Sequence, residues 1–302
     1  GSERYWYSSY LKAPVLWQAA KQAGKRTAAI HWPVTVGAAI DYNLPEYFQA
    51  RLGGAMDLKS TEEKSTRGLV KEIAEEYPSF LTPWMDDRTR TLGTIYVLKR
   101  YQPDLTLLHL MDHDEVAHKA GPFSREAMAT LEYTDELLGQ ILAAAPANTV
   151  VAIVSDHGFE AAPRELNVAA YFAAKKIAAG GTVVRGGYLI TYDAAVAAAL
   201  SEARVDSGSC VGREIPRSEV DRFLPGTTPE ARLFEPAAGC FFATGKAGGE
   251  IVSSKPSAGQ HGHWPTRYRA VFLMAGPGIQ MQGLPEMDMR DAVKHFAKVI
   301  GI

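Results

Sequence analysis

The chain has 302 residues, of which 46% are hydrophobic and 22% are charged, and its formal net charge is -2. This balance is too apolar for a disordered chain and too even in charge for a protein that coats nucleic acid. A phosphate or carboxylate ligand must therefore be held by a local device, such as a metal ion, a helix N-terminus or a few arginines.

The chain alternates helical and strand patterns over its first half. In chain order we predict a helix over 16–23, a strand over 27–32, helices over 62–76 and 87–101, a buried strand over 105–111, a helix from about 124 to 145 and a buried strand over 150–154. A late strand over 268–274 and a closing helix over 292–299 complete the set. Strands that alternate with helices of this length are typical of parallel βαβ units and predict a three-layer α/β domain.

The alternation is lost between Phe159 and Gly259, where alanine-rich stretches, glycine pairs and several prolines predict short mixed elements. We therefore predict an α/β core formed by residues 1–158 and 260–302, with a cap or inserted subdomain over 159–259. Cys210 and Cys240 are the only cysteines, which excludes cysteine-rich metal sites and leaves one optional disulfide. No apolar run is long enough to span a bilayer.

Polar residues with metal-binding chemistry follow the predicted strands at three places. Asp114 and His118 come after the 105–111 strand, and their spacing of four places a carboxylate and an imidazole on one side of a helical turn. A polar loop whose acids cap the next helix is an equally good interpretation of this segment alone. Ligands gather at the carboxyl ends of strands in open α/β sheets, which favours a site here.

The second place is Asp156-His157-Gly158, directly after the strand over 150–154, and the third is His261 between glycines in Gly259-Gln260-His261-Gly262. An ordinary turn is the alternative interpretation of each. Three Asp/His clusters on strand ends, with almost no cysteine, favour oxygen and nitrogen ligands to zinc or a similar divalent ion.

These motifs carry a family resemblance. Asp114-x-x-x-His118-x-x-Gly121-Pro122, Ser155-Asp156-His157-Gly158 and His261-Gly262, in this order, resemble the nucleotide pyrophosphatase/phosphodiesterase branch of the alkaline phosphatase superfamily. Trp32-Pro33, Ala275-Gly276-Pro277-Gly278 and Asp288-Met289-Arg290-Asp291 are similar to that family too. The resemblance covers most of the chain outside the predicted cap.

The resemblance implies a site with two zinc ions, or similar divalent ions. Asp114, His118 and His261 would hold one ion, and Asp156 with His157 would hold part of the other. The family completes the second site with an Asp of its first strand and with a Thr or Ser nucleophile that forms a covalent phosphoryl intermediate. We find neither in this sequence, so the nucleophile is expected upstream of the chain, in an opening segment that is apparently missing.

Two departures from the family pattern bear on the substrate. His109 stands where nucleotide-cleaving members tend to carry a Tyr that stacks on the base, and His113 stands where a Pro is usual. Trp32 and Tyr47 are candidate pocket aromatics, although a lone aromatic is more often a core residue.

Three functions remain open from the sequence. The first is a two-zinc phosphodiesterase or nucleotide pyrophosphatase that acts on a small phosphate ester. The second is a phosphomonoesterase or phosphonate hydrolase of the same superfamily, and the third is a catalytically silent metal-binding fragment. The sequence gives no oligomeric state and assigns no compartment, although the resemblance is compatible with a periplasmic or secreted location.

Overall fold

The computed structural model describes residues 6–47, 58–81, 85–178, 180–204, 208–254, 259–280, 283 and 285–302. The helices are α1 (Leu16–Gln22), α2 (Leu58–Lys64), α3 (Leu69–Glu76), α4 (Asp87–Tyr101), α5 (Asp112–Ala120), α6 (Arg125–Ala144), α7 (Val168–Ala174), α8 (Ala194–Ala203), α9 (Arg217–Phe223) and α10 (Ala292–Ile300). The strands are β1 (Thr27–Ile30), β2 (Tyr42–Leu44), β3 (Leu105–Leu108), β4 (Val151–Val154), β5 (Glu160–Ala161), β6 (Arg164–Asn167), β7 (Thr182–Val184), β8 (Leu189–Thr191), β9 (Val211–Glu214), β10 (Arg232–Pro236), β11 (Cys240–Ala243), β12 (Val252–Ser254), β13 (Gly259–Gln260) and β14 (Phe272–Ala275).

The chain forms two compact units. Unit 1 contains Gly1–His113, Thr130–Ile153 and Phe272–Ile302, and unit 2 contains Asp114–Ala129 and Val154–Val271. None of the helices in the described part of the chain combines the length and the apolar character that a bilayer crossing demands. The predicted core and cap, with boundaries at residues 158–159 and 259–260, describe an insertion in the sequence. The two compact units describe how the chain packs in space. The predicted boundaries therefore stay a prediction.

A parallel sheet with the order β2-β1-β3 is the centre of unit 1. Ile30 in β1 lies opposite Leu44 in β2 and Leu108 in β3. Every residue of β1 is buried, as expected for a strand covered on both faces. Ile30 and Leu44 pack with Phe80 and other apolar side chains into one core cluster. The α/β fold with a parallel sheet was predicted from the sequence and is confirmed.

Helix α4 has the predicted bounds because its local signals are strong. The Asp86 carboxylate caps its first turn by accepting a hydrogen bond from the Thr89 backbone N–H at 2.8 Å. Gln102 ends the helix in the left-handed conformation, directly before Pro103.

The prediction of a single helix over 62–76 is wrong, because the chain forms two helices there, α2 and α3. They are separated at Gly68, whose φ of +84° belongs to the left-handed region. A glycine adopts this conformation without steric cost and breaks the helix. The predicted strand over 268–274 begins later, since β14 starts at Phe272. Strand β2 was not predicted; it has only three residues.

Helix α6 follows its predicted range, but its apolar face is not fully covered. Leu137 is buried, whereas Leu131 and Leu142 are 47% and 53% exposed. In β14, Phe272 stacks on Phe296 of α10, while Leu273 on the other face is 52% exposed. Unit 1 therefore presents apolar side chains on α6 and β14.

Unit 2 consists of short strands and helices. Strands β7, β8, β10 and β9 form an antiparallel sheet, β11, β6 and β12 form a mixed sheet, and β13 pairs with β5. The main core cluster includes Leu166, Phe172, Leu200 and Phe234. Cys210 and Cys240 form a disulfide within this cluster. The mixed short elements predicted for residues 159–259 are confirmed.

We expect the disulfide to stabilise unit 2. It joins cysteines that are 30 positions apart, and a bridge over such a loop contributes about 2 to 4 kcal/mol, chiefly by restricting the unfolded chain. A double variant, Cys210→Ala with Cys240→Ala, should lose about this free energy of unfolding in a urea titration. Reductant should destabilise the wild type and leave the double variant unchanged. Two reactive thiols in the untreated native protein would contradict the disulfide.

Candidate metal centre

Asp114 and His118 lie one turn apart on α5, as their spacing of four predicts. The Nε2 atom of His118 is 3.7 Å from the Oδ2 atom of Asp114. The Nδ1–H of His118 donates to the Gly259 carbonyl at 3.0 Å, which leaves the Nε2 lone pair free. A hydrogen bond from the ring nitrogen that does not bind the metal is the usual way in which a protein orients a histidine for a metal ion.

His157 follows β4 and reaches the same place. Its Nδ1 atom faces the Gly158 carbonyl at 3.1 Å, and its Nε2 atom lies 3.8 Å from the Oδ1 atom of Asp114. The Asp156 carboxylate is 74% exposed and lies 3.4 Å from the same Nε2 atom. His157 therefore points toward Asp114, and the more exposed Asp156 lies beside it, although the two residues are adjacent in sequence.

His261 follows β13, which pairs with β5 in the register Gly259 to Ala161 and Gln260 to Glu160. A side chain at position 259 would place its Cβ 2.2 Å from the Ala117 carbonyl oxygen, so only glycine allows this approach to α5. The His261 Nε2 atom is 3.5 Å from the Asp114 Oδ1 atom. Its ring stacks on that of His157, with the centroids 3.6 Å apart and the planes 6° from parallel.

The three clusters predicted separately from the sequence thus meet at the Asp114 carboxylate. One ligand atom each from Asp114, His118 and His261 lies within 4.8 Å of the others. The Oδ1 atom of Asp114 is buried and accepts no hydrogen bond. A buried carboxylate oxygen without a donor is costly unless a cation balances it.

The spacing of the ligand atoms suits a metal ion. Two atoms that each lie about 2.1 Å from a tetrahedral zinc ion are about 3.4 Å apart. The distances from Asp114 to the nitrogens of His261 and His118, 3.5 and 3.7 Å, are close to this value. Burial, and next the imidazole of His157, lower the pKa of His261, which favours the neutral ring that a metal ion requires. The residues present therefore fit a divalent cation.

Phe159 belongs to this centre and was missed in the sequence. Its ring centroid lies 4.9, 5.9 and 5.3 Å from those of His118, His157 and His261. An apolar ring beside three imidazoles lowers the local dielectric constant and limits access of water. The sequence offered one indication, since Phe159 directly follows Asp156-His157-Gly158.

The predicted substrate residues lie in unit 1. Trp32 packs at the edge of a core cluster that contains Trp17. The Tyr47 ring contacts Trp6 edge-on at 6.0 Å, and the Lys64 ammonium lies 5.6 Å from its centroid. The His109 Nδ1 atom is 3.7 Å from the carboxylate of Glu46. Glu46, which is buried, was not predicted from the sequence.

A buried group of charges follows β3 in unit 1. The Asp87 carboxylate accepts from the backbone N–H groups of Met111 and Asp112, at 2.7 and 3.1 Å, and pairs with Arg90. Burial, and next the negative charge of Asp87, raise the pKa of Asp112 to about 6. These bonds fix the backbone at Met111 and Asp112 within unit 1.

Solved structures of other proteins share the α/β fold of this chain. Human ectonucleotide pyrophosphatase/phosphodiesterase 5 superposes with a TM-score of 0.61 at 16% identity, covering 98% of this chain and 73% of that one. Phosphonoacetate hydrolase from Sinorhizobium meliloti 1021, in complex with phosphonoacetate, gives 0.66 at 15% identity, covering 97% and 76%. An inactive variant of the murine phosphodiesterase 5, in complex with AMP, gives 0.63 at 15% identity, covering 99% and 73%.

The family is shown by the sequence itself. The model of the type I phosphodiesterase/nucleotide pyrophosphatase family matches residues 2–219, and the chain belongs to this family of phosphoester hydrolases. No curated protein sequence matches the chain. The resemblance stated from the motifs is therefore confirmed at the level of the family and the fold.

We expect His118 and His261 to be required for metal binding. Each substitution, His118→Ala or His261→Ala, should weaken zinc binding at least roughly 100-fold, because loss of residues that only support ligands already costs about 10- to 100-fold. Isothermal titration of the metal-free protein with zinc measures the affinity. His295→Ala, on the exposed face of α10, is the matched control and should bind as the wild type does. Unchanged affinity in both site variants would contradict the assignment.

Proposed function

We propose that this protein is a two-zinc phosphodiesterase or nucleotide pyrophosphatase. The observation that carries the proposal is the Asp114 carboxylate, which has no hydrogen-bond donor on its Oδ1 atom and lies among three imidazole nitrogens. Membership of the family supplies the class of reaction, the hydrolysis of phosphoester or pyrophosphate bonds.

In this proposal Asp114, His118 and His261 hold one ion, and Asp156 with His157 hold part of the second. The stacked rings of His157 and His261 would then be ligands of neighbouring ions. When bound, a pair of divalent cations neutralises the phosphoryl oxygens, lowers the pKa of an attacking hydroxyl and stabilises the leaving oxygen. Such a pair also explains how a chain with a net charge of -2 can hold an anionic substrate without a basic patch.

The residues of this chain act mainly by orientation. The carbonyls of Gly259 and Gly158 hold the Nδ1 atoms of His118 and His157, so both rings present Nε2 to the centre. The Phe159 ring, beside the imidazoles, keeps bulk water from that side. A site that is oriented before the substrate arrives loses little free energy in reorganisation during the reaction.

We further propose that the nucleophile and the remaining ligands of the second ion belong to a strand and helix encoded upstream of Gly1. Two observations support this. Among the described residues, β3 pairs only with β1, and β4 pairs only with β14, so each of these strands has an unpaired edge. The apolar side chains of Leu131, Leu142 and Leu273 are about half exposed, and an added helix and strand would bury them.

The 302-residue chain should therefore hydrolyse a chromogenic phosphodiester poorly, because a positioned nucleophile is what divides the reaction into two easier steps. A chain extended by the upstream coding sequence should recover activity, and chelation should abolish it. The rate is measured with added zinc for both chains. Full activity of the 302-residue chain would show that the nucleophile lies within it.

His261→Ala in the extended chain should remove most of the activity, while His295→Ala should leave it unchanged. An extended chain that binds zinc but hydrolyses no phosphoester would instead favour the catalytically silent alternative.

A phosphonate or phosphomonoester substrate is the second candidate, and His109 favours it. The polar pair of His109 and Glu46 stands where nucleotide-cleaving relatives tend to have a stacking Tyr. This pair suits a small polar leaving group better than a flat base. Phosphonoacetate is the ligand of one structural neighbour.

We expect His109→Tyr in the extended chain to raise kcat/KM for a nucleotide diester relative to phosphonoacetate, by roughly tenfold if stacking contributes about 1 to 2 kcal/mol. Glu46→Gln serves as the comparison, since it removes the charge beside His109 without adding an aromatic ring. An equal change for both substrates would show that His109 does not contact the leaving group.

A further inference from the structure

An ion pair joins the two segments that carry His157 and His261. We call residues 155–158 the first ligand loop and residues 260–263 the second ligand loop. Glu160 follows the first loop, and Arg267 follows the second. The guanidinium of Arg267 binds the Glu160 carboxylate through two hydrogen bonds, Nε to Oε2 at 2.6 Å and Nη2 to Oε1 at 2.7 Å. Both side chains are largely buried, with 15% and 20% exposure.

The pair is also fixed from outside the two loops. Arg267 donates from Nη1 to the Pro236 carbonyl at 2.6 Å and from Nη2 to the Ala237 carbonyl at 3.1 Å. The Glu160 carboxylate accepts from the Gly239 backbone N–H at 2.9 Å. The two side chains therefore have little freedom to move, and the planar fork of the guanidinium sets their mutual geometry.

A second contact joins the loops beside this pair. The Nδ1 atom of buried His263 lies 2.8 Å from the Tyr268 hydroxyl, and the Tyr268 ring lies against Gly158. A Cβ atom at position 158 would approach the ring to 2.6 Å, so the ring touches the backbone next to His157. Tyr268 therefore links His263 of the second ligand loop to the backbone of the first.

We propose that Glu160 and Arg267 are positioning residues, whose ion pair sets the separation of the His157 and His261 imidazoles and thereby the affinity of the metal centre. The inference rests on the proposed function, because it treats these imidazoles as metal ligands. Neither Glu160 nor Arg267 is placed in contact with a metal ion or substrate.

Charge and burial both make the pair sensitive to substitution. Although burial acts to raise it, the hydrogen bonds from Arg267 hold the pKa of Glu160 below its ordinary value, so the carboxylate is ionised at neutral pH. Removal of one partner leaves the other charge buried and unpaired, which costs far more than loss of an exposed pair. The two ligand loops would shift to expose the unpaired charge to water. Because metal ligands must be held to within about 0.5 Å, such a shift would weaken metal binding.

A matched control pair lies in the same unit. Arg232 binds Glu214 through two hydrogen bonds, Nε to Oε1 at 2.7 Å and Nη2 to Oε2 at 2.6 Å. This pair joins β9 to β10 and carries neither ligand loop. It has the same bond geometry as the pair of Glu160 and Arg267 but is more exposed, at 43% for Arg232 and 30% for Glu214, so it reports the effect of losing a bidentate ion pair away from the ligand loops.

The experiment compares zinc affinity and backbone protection in the 302-residue chain. The variants are Glu160→Ala, Arg267→Ala, their double variant, the conservative Glu160→Gln, and the control variants Glu214→Ala and Arg232→Ala. Isothermal titration with zinc gives the affinity, and circular dichroism shows whether each variant is folded. Hydrogen exchange of the metal-free proteins, read by mass spectrometry over residues 155–160 and 260–268, reports the order of the loops without zinc.

We expect each alanine variant of the pair to weaken zinc binding about 10- to 100-fold and to speed exchange in both loops, and the control variants to change neither. The double variant should bind zinc no more weakly than the weaker-binding single variant, because both substitutions remove the same ion pair. Glu160→Gln, which keeps an acceptor for Gly239, should fold and should recover part of the affinity.

Folded variants with wild-type zinc affinity and wild-type exchange would overturn the positioning role. Equal losses in the control variants would also overturn it. A wild-type chain that fails to bind zinc would overturn the proposed function, while the exchange data on the metal-free proteins would still decide whether the pair orders the loops.

Discussion

A buried carboxylate oxygen without a hydrogen-bond donor, Oδ1 of Asp114, is the constraint around which the candidate metal ligands are arranged. Asp114 Oδ1 lies near the nitrogens of His157 and His261, and both rings direct Nε2 toward it. Because no hydrogen-bond donor reaches Oδ1, the arrangement is costly unless a cation balances the charge. The scaffold must therefore maintain it, and the carbonyl groups of Gly158 and Gly259 do so by holding the opposite edges of two rings.

Close backbone packing makes this scaffold rigid. At Gly158 and Gly259, any side chain would meet another part of unit 2 at less than 3 Å. The two glycines therefore bring the ligand loops against Tyr268 and against α5, respectively. Since a larger residue would force the backbone apart, both positions have a steric reason for being glycine that is independent of any turn conformation.

Local features of the fold could be predicted from the sequence, and features that depend on distant residues could not. Helix α4 has a capping residue and a stop within its own segment, and the spacing of Asp114 and His118 sets their common face. Only the family resemblance implied that the distant His261 joins them. By contrast, Glu160 and Arg267 are 107 positions apart, and no local pattern identifies either as a partner of the other.

The same limit applies to elements that tertiary contacts stabilise. Strand β2 is too short for a periodic pattern and exists because it pairs with β1. The helix predicted over 62–76 has its apolar residues only in the second half, from Leu69 onward, and one left-handed glycine divides it. The helix α6 itself was predicted, but the exposure of part of its apolar face depends on which distant elements pack against it.

The long sequence separation within the centre has a consequence for how the protein folds. His118 and the Gly259 carbonyl that orients it are 141 positions apart, so a complete ligand set exists only after a large loop of chain has closed. Closing a loop of this length lowers the folding rate, because the chain loses conformational entropy before the native contacts form. A cation that binds only the folded form, after this loop has closed, would therefore slow unfolding rather than speed folding.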